Sequence, residues 1–216
     1  RLDNELMKTE FILNAAKAIN EAILAHESEI ESLDREIGDG DHYINITRGS
    51  SVVVSMYDEL ASLAPDVVLN CIGMKLLSTV GGAAGPLFAS FFMAMAKIVK
   101  EQGGESLPEI ATAFAAGVEA IKSRGKADLG EKTMLDTVIP VAKTFTKLAG
   151  RGVERTVLFN ALKDAAEKGM LSTKEMLATK GRAAFLGERA IGHIDAGAKS
   201  SQVMIYAVCD LALAEE

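Results

Sequence analysis

The sequence has little of what staples or punctuates a small fold: its 216 residues hold two cysteines, four prolines and no tryptophan, and aromatics make up only 5%. Cys71 and Cys209 stand in apolar, helical-looking surroundings with no CxxC or His-rich spacing. That argues against structural zinc and for a reducing compartment, read here as the cytoplasm, with a single disulfide left open. No stretch reaches the ~20 apolar residues of a membrane span. The best candidate, Pro86 to Met95, is cut off by Lys97 and Lys100. Asp3, Glu5, Lys8 and Glu10 stand where a signal peptide would have its apolar core, so neither membrane insertion nor a signal peptide is expected. A basic stripe is missing as well: the formal charge is −7 and the two signs interleave, which speaks against nucleic acid as a partner.

What is present favours helices. Hydrophobic residues make up 49% and charged residues 25% of the chain, ordinary values for a globular protein. A chain of this length buries roughly 70% of its unfolded surface, so its core needs no metal to hold it together. Ala, Leu, Met, Glu and Lys are abundant and β-branched runs are few, which favours an all-α fold. Apolar residues recur at three- and four-residue spacing through Phe11, Ala15, Ala18, Ile19, Ala22 and Ile23, predicting a first amphipathic helix that Asn4 is placed to cap. Further helical patterns run over 49–63, 66–79, 86–102, 108–122, 132–148, 153–179 and 199–213. Ser106 before Pro108 reads as a helix start, and Gly103-Gly104 and Gly150 to Gly152 as helix ends. The run Val52-Val53-Val54 is the one strand-like stretch, flanked by helix-compatible residues. With no repeat or low-complexity linker, residues 1–216 read as a single helical domain.

The chemistry concentrates in Leu33-Asp34-Arg35-Glu36-Ile37-Gly38-Asp39-Gly40-Asp41-His42-Tyr43-Ile44-Asn45. Three aspartates fall at i, i+5 and i+7. On a continuous helix Asp34 and Asp41 share a face while Asp39 points away. Positive φ at Gly38 and Gly40 would fold the chain back and let the three carboxylates converge, a crowded arrangement that requires a cation to offset the repulsion. Carboxylate oxygens select Mg²⁺ or Ca²⁺ over zinc. The spacing is not that of an EF-hand, because no Glu stands at position 12 of a loop starting at Asp34 or Asp39. Mg²⁺ with phosphates completing its shell is the sharper reading, and a polar Asp/Gly turn capping a helix is the plainer one.

A second cluster, Val80-Gly81-Gly82-Ala83-Ala84-Gly85-Pro86, precedes the most apolar helix. Small residues and a helix N-terminus suit a phosphate, although a close-packed helix-helix turn uses the same residues, and neither a Walker A nor a GxGxxG pattern is present. The third stretch, Gly181-Arg182 and then Gly187 through Ala198, is too glycine-rich and polar for a helix interior and reads as a ligand-binding loop or a long surface connection. Between them, Ser123 to Lys126 and Gly130 to Asp136 form a polar connection in which Thr133 and Met134 face either a purine or the core. His26 is read as solvated at a polar helix end. His42 and His193 lie inside the candidate loops with no Ser or Cys nearby in sequence, so hydrolytic triad chemistry is not expected.

Taken together, LDREIGDGDHYINITRG, GMKLLSTVGGAAGPLF, SRGKADLGEKTMLD and KGRAAFLGERAIGHIDAGA resemble the L subunits of dihydroxyacetone kinases over most of the chain. The resemblance implies eight antiparallel amphipathic helices in a closed barrel-like bundle, with a nucleotide site in the loops at one end. It implies that Asp34, Asp39 and Asp41 hold two Mg²⁺ ions. His42, Tyr43, Ile44, Asn45, Gly82, Ala83 and Ala84 would lie on the phosphate side, and Gly125, Met134, Arg182, Asp195, Ala196 and Gly197 on the nucleoside side. Two departures stand out: Ser is frequent in the family where Ala84 stands, and Pro where Ala196 stands. The cofactor implied is ADP, cycling through ATP. The partners implied are a K subunit that holds dihydroxyacetone and a phosphohistidine-bearing M subunit of the phosphotransferase system. The run Gly-Asp-Gly-Asp-His followed by Asn45 and Arg48-Gly49 resembles this phosphoprotein-dependent group, whereas ATP-dependent fused enzymes tend to read Gly-Asp-Gly-Asp-Thr-Gly. An ATP-dependent triose or sugar kinase subunit, an ADP-loaded module that docks on a transcriptional regulator, and an acidic helical scaffold are the alternatives.

Overall fold

The computed structural model describes residues 5–215, so Asn4, the expected cap of the first helix, lies outside them. Ten α-helices occur among the described residues: α1 (Thr9–Ala25), α2 (Glu27–Ile37), α3 (His42–Ser55), the single turn α4 (Tyr57–Leu60), α5 (Pro65–Thr79), α6 (Ala84–Gln102), α7 (Leu107–Gly125), α8 (Leu135–Gly150), α9 (Arg155–Ser172) and α10 (Ala196–Ala214). Two 3-10 segments, Thr173–Glu175 and Arg182–Ala190, lie between α9 and α10. The fold is all-α among the described residues, and none of these helices is long and apolar enough to cross a membrane. Val52-Val53-Val54 lies within α3, its branched side chains overruled by the helical context on both sides.

The helices number ten rather than the expected eight. One addition is α2, mostly polar but with Ile30, Leu33 and Ile37 at helical spacing, which buries Ile30, Asp34 and Ile37. The other is α4, split from α3 at Met56. Two expected boundaries also move: α3 begins seven residues before Gly49, at His42, and α9 ends at Ser172 rather than at residue 179.

Local chemistry explains the well-placed ends. Ser106 and Glu109 form a reciprocal capping box at the start of α7, satisfying N–H groups that the first turn leaves orphaned. Pro65 opens α5, and Gly103, at φ 86, closes α6. Inside α8, Pro140 lacks the N–H that would bond the Asp136 carbonyl. There Gly169 of α9 packs so closely that a Cβ on it would lie 2.2 Å from that oxygen, so α8 and α9 meet at a point only glycine permits.

Each long helix packs on its neighbour in chain order: α5 on α6, α6 on α7, α7 on α8, α8 on α9 and α9 on α10. In turn α10 packs on α1, α1 on α3 and α3 on α5, while α2 leans on α3, α10 and the 182–190 segment. Phe91, Phe92, Phe114 and Phe145 form a chain of edge-on ring contacts in the core. An apolar space of about 300 Å³ lies among the helices, lined by residues that include Phe11, Ile46, Phe88, Phe91, Met204 and Val208. Cys71 and Cys209 are both free thiols. His26 is half-buried between α1 and α2, its Nδ1 2.7 Å from the Ala22 carbonyl; a helix junction, not open solvent, surrounds it.

Candidate metal and nucleotide site

The connection between α2 and α3 brings Asp34, Asp39 and Asp41 together, with one carboxylate oxygen from each lying within 4.8 Å of the others. Asp34 is buried, whereas Asp39 and Asp41 are exposed. The convergence is built by two glycines acting differently. Gly40 adopts φ 81 and turns the chain. Gly38 does not take the expected positive φ; its backbone is extended, at φ −108 and ψ −158. Its need for glycine is steric, since a Cβ there would lie 1.8 Å from Asp34 Oδ1. The His42 N–H donates to Asp34 Oδ2 at 3.0 Å and fixes the buried carboxylate across the turn.

A hydrogen bond with Asp39, burial and the Asp39 charge hold the Asp41 carboxyl above its ordinary range, while Asn45 pulls it back. Like-charged carboxylates this close are what a hard dication relieves. The donors are all oxygen, and the exposed side of the cluster leaves room for water and phosphate ligands, as Mg²⁺ prefers. The residues present therefore fit that ion.

Asn45 connects this cluster to the glycine turn before α6. Its side chain is buried, and Cβ atoms built on Gly81 and Gly82 would lie 3.3 and 3.4 Å from its amide. Gly82 has φ 67, and Ala83 precedes the first turn of α6. The backbone there passes close over Asn45 because no side chain intervenes. The half-buried His42 bonds Ser200 Oγ of α10 through Nε2 at 2.8 Å, and Ser200 donates in turn to the Gly197 carbonyl at 3.2 Å. Burial lowers the His42 pKa, opposed by Asp34 and Asp39. A serine thus does lie beside His42, 158 positions away in sequence, where no spacing rule could find it. It is 1% exposed, and Asp34 bonds the His42 backbone rather than the ring, so the trio positions groups and is not a hydrolytic triad.

Three of the nucleoside-side candidates, Met134, Asp195 and Gly197, come together at the start of α10. Asp195 caps that helix, its Oδ2 accepting from Ala198 N–H at 2.8 Å. Burial pushes the Asp195 carboxyl up to about 6. A Cβ on Gly197 would lie 3.7 Å from Met134 Cβ, so the turn before α8 abuts the turn before α10. Gly125, at the end of α7, lies against Leu87 of α6. The remaining candidates are less convergent: Tyr43 packs with Ile23, Ile30 and Ile46, Ile44 is 58% exposed, Ala84 is part of the first turn of α6, Ala196 is buried, and Arg182 is exposed at the start of a 3-10 segment. His193 pairs with Glu36 of α2 at 3.5 Å, joining the last loop to the carboxylate turn.

Among the described residues, the interhelical turns of this all-helical chain bring three carboxylates together beside a glycine turn at a helix N-terminus, an arrangement whose oxygen donors suit a hard dication and whose backbone suits a phosphate. Comparison with known families is more specific. The DAK2 domain model matches residues 36–210, and the chain belongs to that family. It is 42% identical over 184 residues to the PEP-dependent dihydroxyacetone kinase, ADP-binding subunit DhaL, of Escherichia coli, covering 85% of this chain and 88% of that one. It is 36% identical over 207 residues to the corresponding subunit of kinase 2 from Listeria innocua, covering 95% of each. Its fold resembles the dihydroxyacetone kinase from C. freundii crystallised with AMP-PNP and Mg²⁺, with a TM-score of 0.73 at 22% identity, over 93% of this chain. The chain spans only about a third of that kinase, 34% of its length.

Proposed function

We propose that this chain is the nucleotide-binding subunit of a phosphoprotein-dependent dihydroxyacetone kinase, with Mg-ADP as its resident cofactor and dihydroxyacetone phosphate as the product. The observation that carries the reading is the convergence of Asp34, Asp39 and Asp41 at the mouth of the α2–α3 turn. The similarity over 85% and 95% of this chain to two ADP-binding subunits supports it. When bound, the nucleotide carries the phosphoryl group in transit, and two Mg²⁺ ions neutralise its phosphates.

The chain's own contribution is electrostatic and positional. Asp34, Asp39 and Asp41 hold the metals, with Asp34 locked by the His42 N–H. Backbone N–H groups around Gly82, Ala83 and Ala84 face the phosphates at the start of α6. His42, its Nε2 committed to Ser200, orients phosphate through the other side of its ring and carries no phosphoryl group itself. Tyr43 and Ile44 contribute backbone N–H groups from the first turn of α3, and Asn45, its own N–H donated to the Asp41 carbonyl, contributes the side-chain amide that supports the glycine turn. Gly125, Met134, Arg182, Asp195, Ala196 and Gly197 bound the nucleoside.

The same reading extends to the architecture and partners. Residues 1–216 act as one nucleotide-binding domain, and eight long helices close into a barrel. The neighbour order, with α10 returning to α1, and the apolar space between the helices support this. The K subunit supplies dihydroxyacetone and the M subunit the phosphohistidine, all in the cytoplasm.

The test is reconstitution of the chain with K subunit and dihydroxyacetone, offering either phosphorylated M subunit or ATP. Product formed from the phosphoprotein with only catalytic amounts of ADP supports the proposal. Product formed only at the expense of stoichiometric ATP contradicts it.

A further inference from the structure

Lys132 is 2% exposed, a depth at which lysine is rare without partners. Its backbone sits in the left-handed region at φ 62, which costs a non-glycine residue and persists only when surrounding contacts compensate. Those contacts are carbonyls: the ammonium donates to Thr173 O, to Lys174 O at 3.4 Å and to His193 O at 2.5 Å. Asp195, Glu175 and Asp136 surround it with negative charge, offsetting the burial that lowers its pKa.

One side chain thereby joins three segments: the α7–α8 turn, the 3-10 turn after α9 and the loop before α10. Neighbouring bonds reinforce the joint. Gly192 N–H donates to Lys174 O at 2.7 Å, Asp195 N–H to Thr173 Oγ1 at 3.1 Å, and Thr137 Oγ1 to Ala198 O at 3.0 Å. Two residues after Lys132 stands Met134, and two to four residues after His193 stand Asp195 and Gly197.

We infer that Lys132 is a positioning residue for the nucleoside side of the site, its buried ammonium setting the gap between the Met134 turn and the Asp195–Gly197 turn. It acts through those backbones and touches neither the carboxylate cluster nor the glycine turn. The inference rests on the proposed nucleotide site.

The test is Lys132→Met, which keeps length and removes the charge. Calorimetric titration with ADP in excess Mg²⁺ gives the dissociation constant, and the phosphoryl-transfer rate is then measured at saturating ADP. The expected result is a dissociation constant raised about tenfold or more, the scale of a lost buried charged hydrogen bond, with the saturated rate within about threefold of wild type. An unchanged dissociation constant, or a saturated rate that falls in proportion to affinity, overturns the inference. If Lys132→Met does not fold, Thr173→Val removes the hydroxyl beside the same joint and must show the same split at smaller amplitude; without that split the inference fails. Wild-type protein that binds no Mg-ADP would instead refute the nucleotide reading itself.

Discussion

Substituting Asp41 by Asn should stabilise the metal-free protein while disabling it. Unit charges no more than 4.8 Å apart repel by at least ~0.9 kcal/mol in water and ~3.5 kcal/mol at an effective dielectric of 20. Asp41 is exposed, so the water end applies and salt reduces it further; two repulsions removed together amount to about 1 kcal/mol. For a chain of this size that is a rise of about 2–4 °C in Tm. The Asp41 carboxyl is held above its ordinary range, so the folded state takes up its proton more readily than the unfolded chain. Its contribution is favourable in acid and is lost as pH rises through the folded pKa. The Tm advantage of Asp41→Asn in EDTA should therefore be present at pH 7 and vanish near pH 4. In Mg-ADP the order should reverse, because only wild type gains ligand stabilisation. Thermal unfolding by circular dichroism in the two buffers reads all of this. A variant less stable than wild type in EDTA at pH 7 would refute the reasoning.

Gly38→Ala drives a Cβ to 1.8 Å from Asp34 Oδ1; Mg-dependent ADP binding should fall at least ~100-fold, and titration values within twofold of wild type would contradict the packing. Ser106→Ala removes the capping box of α7 and should lower stability by about 1 kcal/mol in denaturant unfolding while leaving ADP affinity unchanged. Asp195 is held at about 6, so folding disfavours its charge and stability drops as pH climbs from about 4 through 6. Asp195→Asn keeps an N-cap and should lack that drop in the metal-free protein, which Tm measured against pH will show.

Much of the fold could be read from periodicity and punctuation. The Ser106–Pro108 start and the Gly103 end were marked by residue types whose local physics needs no tertiary context. The carboxylate cluster was legible for the same reason: three aspartates flanking glycines within eight positions have few other uses. What stayed hidden depends on the tertiary fold. The segment 27–37 is not part of that: Ile30, Leu33 and Ile37 stand at helical spacing among Glu and Arg, a pattern the sequence itself carries. Ser200 meets His42 only once α10 has returned beside α3. Lys132 looked like one more charge in a polar turn, and nothing nearby in sequence signals that its ammonium ends among carbonyls 41 to 61 positions away. At Gly38 the sequence marks the need for glycine but not its cause, since dihedral preference and steric clash leave the same residue in the sequence.

A resident nucleotide can be tested directly by heat-releasing whatever co-purifies with the protein and quantifying ADP, ATP and Mg²⁺ per chain. The proposed function predicts about one ADP per chain with bound Mg²⁺, surviving purification as a tightly held ligand does. Protein that emerges empty and then binds no Mg-nucleotide at any concentration tested would contradict it.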